Sequence, residues 1–267
     1  MIINLKKAFI LLTAIILTAT AIYICPVLAD EFKVELPILM YHHLSENNSK
    51  LNKYTISPSE FKSDLEFIQK NGYTTISIND LINFTNGQNL PEKPIMITFD
   101  DGYQSVYKYA YHMLKERNMK AVVNVIGKYA EMYSNINDEN VSYAHINFEH
   151  LSEMVNSSLI EVGNHTYDMH TGSGIKNASD TKLKEDISQA QNLFVCNLHS
   201  TPKAFAYPFG KISKQALPIL KEMGFKAVFC CWEKVNKLSG NAEELYHLNR
   251  FNRPHGKSAE KILTDLK

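Results

Sequence analysis

Cysteine is scarce in this chain of 267 residues, which has four, and one of them, Cys25, lies in an apolar N-terminal run. The other three, Cys196, Cys230 and Cys231, are too few for the disulfide framework of small exported domains. A single bridge from Cys196 stays open, beside the plainer reading of cysteines buried on strands. No Cys-x-x-Cys pair occurs, so a thiolate zinc site is unsupported. Charge of one sign is missing too: 28 basic residues face 28 acidic ones, with no basic run. That removes the electrostatic footprint of a nucleic-acid partner and favours a neutral or weakly charged one. No Gly-rich fingerprint follows a strand-like run, which disfavours a dinucleotide site. The Gly-x-Ser-x-Gly elbow of serine hydrolases is also absent. No linker, repeat or low-complexity stretch divides the chain after its leader.

The N-terminus does have a long hydrophobic run. Lys6 and Lys7 precede apolar residues from Ala8 to about Ile24, and Val27-Leu28-Ala29 precede Asp30. This is the pattern of an export signal, cut or retained as a membrane anchor, over residues 1–29. Ile24 stands where a lipoprotein signal needs a small residue before Cys25. The expectation is an exported protein, secreted or held at the cell surface, with residues 30–267 as one domain. Membrane contact is expected only through the leader if it is uncleaved, and a monomer is expected.

Beyond the leader, short β-like runs alternate with amphipathic helices. "LPILMY", "YTTISI", "PIMITF", "KAVVNVIG", "LIEVG", "KAFAYP", "FKAVFCC" and "LYHLNRF" read as strands. "SPSEFKSDLEFIQKNG" reads as a helix with Ser57 as N-cap, Pro58 at its first position, Glu60 closing a capping box and Gly72 ending it. Phe61, Leu65 and Ile68 form its inward stripe, and a helix from near Ser105 points Val106, Ala110 and Leu114 inward. About eight βα-like units over some 230 residues suggest an α/β barrel, closed or nearly so.

Barrels of this kind carry reactive groups where strands end. "PIMITF" ends in Asp100 and Asp101, two carboxylates costly to desolvate beside a core strand, although Asp-Asp-Gly is also an ordinary turn. "LIEVG" ends in "NHTYDMH", with His165 and His170 five positions apart. A helix would point them roughly 140° apart, whereas a loop can fold both onto one centre. Two imidazoles and one carboxylate make a three-ligand metal site with an open position, suited to zinc and able to take cobalt or nickel.

"ITFDDGY", "GNHTYDMH" and "FAYPFGK", in this order, resemble the polysaccharide deacetylase family of carbohydrate esterases, which share the NodB homology domain. The resemblance runs from about Leu36 to the C-terminus. It implies a distorted (β/α) barrel and metal-dependent removal of acetyl from N-acetylglucosamine residues of a polysaccharide, with acetate released. By position, Asp100 is similar to the general base, and Asp101, His165 and His170 to the metal ligands. Phe209 matches the aromatic residue whose backbone N–H serves the oxyanion, with Tyr207 and Pro208 lining the groove. The five-residue histidine spacing resembles the branch acting on poly-N-acetylglucosamine exopolysaccharide; peptidoglycan offers the same acetamido group.

Two departures stand out. The arginine usual three residues before Phe209 is replaced by Ala206, a vacancy that Arg250 could fill. The C-terminal Leu-His that supplies an acid has no counterpart, since His247 and His255 stand in other contexts. In the exopolysaccharide branch the acid comes from the first strand, which here ends in His42 and His43; His42 is the expected acid. Two rivals remain. One is a glycosidase, which would use paired carboxylates but leave the histidines idle. The other is a degenerate barrel that only binds glycan. Trp232 and the 14 tyrosines could stack on sugars, or simply be core.

Overall fold

The computed structural model describes residues 33–172 and 175–265; the leader expected over residues 1–29 lies outside them. Its first strands are β1 (Val34–Leu36), β2 (Ile38–Tyr41), β3 (His43–Leu44), β4 (Thr55–Ile56), β5 (Thr74–Thr75) and β6 (Pro94–Phe99). They are followed by β7 (Ala121–Val125), β8 (Ile160–Asn164), β9 (Ala204–Ala206), β10 (Ala227–Phe229), β11 (Asn236–Leu238) and β12 (Phe251–Asn252).

One sheet runs in the order β10-β9-β8-β7-β6-β2-β12, every neighbouring pair parallel, with β5 joining the start of β6. Its two ends approach each other. Leu248 bridges Phe229 in parallel, and Cys230 donates its N–H to the Leu248 carbonyl at 2.8 Å. The sheet therefore curls into the distorted α/β barrel that alternating strands and helices lead one to expect.

Strand parity then decides where side chains go. Along β6, Ile95, Ile97 and Phe99 pack on the helix side, in one cluster with Phe61 and Leu65. Met96 faces the interior with Ile38, Ala204, Ala206, Ala227 and Phe229. With a period of two, Thr98 and Asp100 take the next inward positions.

The helices are α1 (Pro58–Lys70), α2 (Ile78–Thr85), α3 (His112–Glu116), α4 (Gly127–Ile136), α5 (Phe148–Asn156), α6 (Asp180–Leu198), α7 (Ala216–Glu222) and α8 (Ala259–Thr264). The capping box that starts α1 is formed, and Phe61, Leu65 and Ile68 are buried. Val106, Ala110 and Leu114 are buried too, on a π-helical stretch, Val106–Tyr111, that runs into α3.

Some expected strands are shorter or absent. "YTTISI" contributes only β5, because Ser77 and Asp80 form a reciprocal capping box that starts α2. The first three residues of "LYHLNRF" end a 3-10 turn, Ala242–His247, and only Phe251 lies in β12. The cysteines also divide: Cys230 is buried, whereas Cys196 is exposed on α6, so it is no strand cysteine. All three are free thiols.

Candidate active site

The chain reverses sharply after β6, with φ of 71° at Asp101 and 73° at Gly102. Aspartate tolerates this left-handed region better than most residues. The turn separates the two carboxylates. Asp100 keeps the inward parity of β6 and is 3% exposed. Arg250 grips it with both arms, Nη1 to Oδ1 at 2.6 Å and Nη2 to Oδ2 at 2.7 Å. Asn124 Nδ2 adds a bond to Oδ1 at 2.7 Å. Burial would raise the Asp100 carboxyl, but the Arg250 guanidinium, with His165 beside it, outweighs this and holds it well below the usual carboxylate range.

Arg250 is fully buried and lies over the Phe229 ring at 5.1 Å, with Nε donating to the Cys230 carbonyl at 3.1 Å. Small inward residues, Ala204, Ala206 and Ala227, share its interior cluster with Phe229. The barrel thus admits an arginine from the segment before β12 instead of from β9. Asn124 needs room as well: a Cβ on Gly163 would stand 2.1 Å from its Oδ1, so no larger residue fits at 163.

Asp101 faces the histidines. Its Oδ1 lies 3.5 Å from His165 Nε2 and 3.2 Å from His170 Nε2, and one ligand atom from each of the three residues falls within 4.8 Å of the others. His165 Nδ1 lies 2.9 Å from the Ala206 carbonyl, a bond in which only the ring nitrogen can donate. That fixes the tautomer and leaves Nε2 with a lone pair aimed at the cluster, the usual second bond of a metal-ligating histidine. Asp101 Oδ1 is buried with no hydrogen-bond partner among the described residues. A buried acceptor without a donor, the His165 lone pair and His170 Nε2, all turned to one point, fit a divalent cation.

The loop joining the histidines is tightly held. Asn164 Oδ1 accepts from Thr166 N–H, and the Asp186 carboxylate on α6 accepts the N–H groups of Tyr167 and Asp168, all at 2.8 Å. At the start of α4, Gly127 and Lys128 donate their N–H groups to the carbonyls of Thr166 and Tyr167. The four residues between the ligands therefore fold as one fixed arch.

His42 lines the same cavity, of about 970 Å³, as Asp100, Asp101, His165, His170 and Phe209. Its imidazole packs on Tyr54 with centroids 4.9 Å apart. Burial lowers its pKa below the ordinary histidine value, a shift only partly opposed by Asp100 and Asp101. Phe209 is 51% exposed, in left-handed backbone at φ 58°, with its ring 4.5 Å from that of His170.

The expectation that Tyr207 and Pro208 line the groove is not met. Both are buried, because β9 parity turns Tyr207 into the helix-side cluster, edge-on to Phe205. Trp232 is neither core nor cavity wall: it is 60% exposed and outside the lining. His247 and His255 do not line the cavity either; His255 sits 3.0 Å from Glu60.

Residue-level reading passed over several groups here. Asn124 was marked only by being polar inside "KAVVNVIG". Tyr103 and His145 also line the cavity, their rings stacked at 4.7 Å, and burial pushes the His145 pKa down to about 4. Asp186 gave no signal at all in the sequence.

Comparison with known proteins gives the family and the fold. The family model for polysaccharide deacetylase matches residues 87–228, just over half of the chain. A poly-beta-1,6-N-acetyl-D-glucosamine N-deacetylase of Staphylococcus aureus (strain MRSA252) is 24% identical over 206 residues, 75% of this chain and 68% of that protein. Among solved structures, the Streptococcus pyogenes deacetylase PplD in complex with acetate matches with a TM-score of 0.74 and 25% identity, over 88% of this chain and 99% of that one. IcaB from Ammonifex degensii gives a TM-score of 0.72 at 25% identity, over 87% and 95%.

Proposed function

This chain belongs to the polysaccharide deacetylase family, hydrolases of a carbon–nitrogen amide bond, and from that premise we propose that it removes acetyl from N-acetylglucosamine units of a poly-β-1,6-linked exopolysaccharide. The observation that carries this reading is the split between adjacent carboxylates: Asp101 turned to His165 and His170, Asp100 turned away to Arg250 and Asn124. One site needs both a cation ligand and a base, and two aspartates doing the same job would leave one role empty.

Asp101, His165 and His170 would hold the cation, for which zinc suits the donor set and cobalt or nickel is an acceptable substitute. A divalent ion there supplies polarisation of the amide carbonyl and acidification of water. Asp100 takes the proton of the attacking water. Its Oδ1 accepts from Asn124 and Arg250, whereas Oδ2 has a single donor, Arg250, so one lone pair is left for that proton. So weak a base fits water already acidified, not bulk water. The Phe209 N–H meets the tetrahedral oxyanion, a contribution of about 3 kcal/mol for one such donor. His42 hands a proton to the amine as the C–N bond breaks. The products are acetate and a glucosamine unit.

The apolar leader supports an exported enzyme, secreted or anchored. The test is acetate release from poly-β-1,6-N-acetylglucosamine and from peptidoglycan side by side, using metal-free protein titrated with zinc, cobalt and nickel. The expected result is release from the first polymer, restored best by zinc. Preference for peptidoglycan would move the substrate. Turnover indifferent to chelation, or no acetate from either polymer, would remove the reading.

A further inference from the structure

The cavity sits at the upper end of the ~300–1,000 Å³ typical of ligand sites and is more than one acetamido sugar needs. Part of its wall belongs to the loop between β3 and β4, with Lys50, Lys53 and Tyr54 on the lining. That loop is pinned. Asn52 Oδ1 accepts from Tyr54 N–H at 2.8 Å and Thr55 N–H at 3.2 Å, and its Nδ2 donates to the Lys50 carbonyl. Asn252 Nδ2 donates to the Lys53 carbonyl at 2.8 Å. The backbone at both lysines is therefore set by the fold.

Neither lysine has a carboxylate partner among the described residues. Lys53 Nζ stands 4.7 Å over the Tyr54 ring, and Tyr54 packs on His42. The carboxylates on the cavity wall are Asp100 and Asp101. The first is neutralised by Arg250, and the second belongs to the cation cluster. The lobe beside His42 is thus a cationic surface.

A polymer bound with one unit at the reacting centre must place a neighbouring unit in this lobe. We infer that Lys50 and Lys53 make the lobe a subsite for a neutral, N-acetylated neighbour that rejects glucosamine, so that deacetylation is spaced along the polymer. The inference rests on the deacetylase reading above. That reaction turns a neutral acetamide into an ammonium group, and an ammonium within about 7 Å of a lysine is disfavoured on the order of threefold per lysine even in water-like surroundings. The same repulsion helps a modified stretch to leave.

The experiment compares two β-1,6-linked hexasaccharides, one fully N-acetylated and one with N-acetylglucosamine alternating with glucosamine, by kcat/KM for acetate release per acetyl group. The wild type should favour the fully acetylated chain roughly tenfold at low salt, with the ratio shrinking as added salt screens the charges. The ratio should fall toward one in Lys50→Gln/Lys53→Gln and invert in Lys50→Glu/Lys53→Glu. Equal wild-type rates on the two chains, or a ratio unchanged in both double variants, would overturn the subsite while leaving the deacetylase reading intact. No acetate from either chain would overturn both.

Discussion

Two buried arginine–aspartate pairs lie three residues apart on the segment that closes the barrel, and they have different fates. Arg253 meets Asp64 through Nε and Nη2 at 2.7 and 3.2 Å, and Tyr41 Oη and Ala259 N–H complete the carboxylate at 3.1 and 2.9 Å. Each Asp64 oxygen then has two donors, and the pair does not line the active-site cavity. Arg250 meets Asp100 end-on, through Nη1 and Nη2 at 2.6 and 2.7 Å, but Asn124 adds a donor to only one oxygen, and Asp100 lines the cavity. On the proposed reading, saturation makes the first carboxylate a brace, and the missing donor leaves the second able to take a proton.

The sharpest way to break this comparison is to neutralise each aspartate. Asp100→Asn should lower kcat about 10³-fold and keep its metal, whereas Asp64→Asn should keep near-normal kcat. Both should lose about 3–5 kcal/mol of stability, since each leaves a buried arginine uncompensated. Acetate release and urea denaturation check the pair; a comparable kcat loss in Asp64→Asn would erase the distinction.

Asp101 extends the series to a buried oxygen with no donor among the described residues. Asp101→Asn should abolish stoichiometric zinc in elemental analysis. Asp186→Ala, which frees two N–H groups of the histidine arch, should weaken zinc affinity about 10–100-fold, measured by chelator competition.

His145 sharpens the contrast from the base side, because its buried Nδ1 has no partner among the described residues. Its pKa, pushed down to about 4 by burial, means that the unfolded chain binds its proton first. The neutral ring's contribution is whole above the unfolded value near 6.5 and is lost as pH falls toward 4, by roughly 3 kcal/mol. Urea midpoints should drop across that window and flatten in His145→Gln. Glu60 acts lower down: its own donors, Ser57 and Gly256 N–H among them, overcome burial and hold its pKa at about 2, so its contribution is lost as pH falls from about 4.5 toward 2. The smallest effect belongs to the half-exposed Lys128–Asp168 pair on the arch, 2.6 Å long. Lys128→Ala should leave the urea midpoint nearly unchanged and change zinc affinity less than threefold.

Local chemistry was legible. Asp100-Asp101 at a strand end, the His165–His170 spacing and the Ser57–Glu60 box each occupy a few neighbouring residues, so their meaning does not wait for the fold. Arg250 could be named only as filling a vacancy, because its partner lies 150 positions away. Tyr207 was misplaced because motif position says nothing of strand parity. "YTTISI" misled because the Ser77–Asp80 cap prevailed over the β-propensity of its isoleucines.

The sequence by itself determined which chemistry is available: two carboxylates, two imidazoles and a phenylalanine in motifs at strand ends, in an order that points to one family. The tertiary structure decided what each carboxylate faces, Arg250 and Asn124 at Asp100 and the two histidines at Asp101. Parity along β6, the left-handed turn at Asp101 and space beside Ala206 are relations among distant strands, and a charge's role in a barrel follows from the partners that packing brings to it.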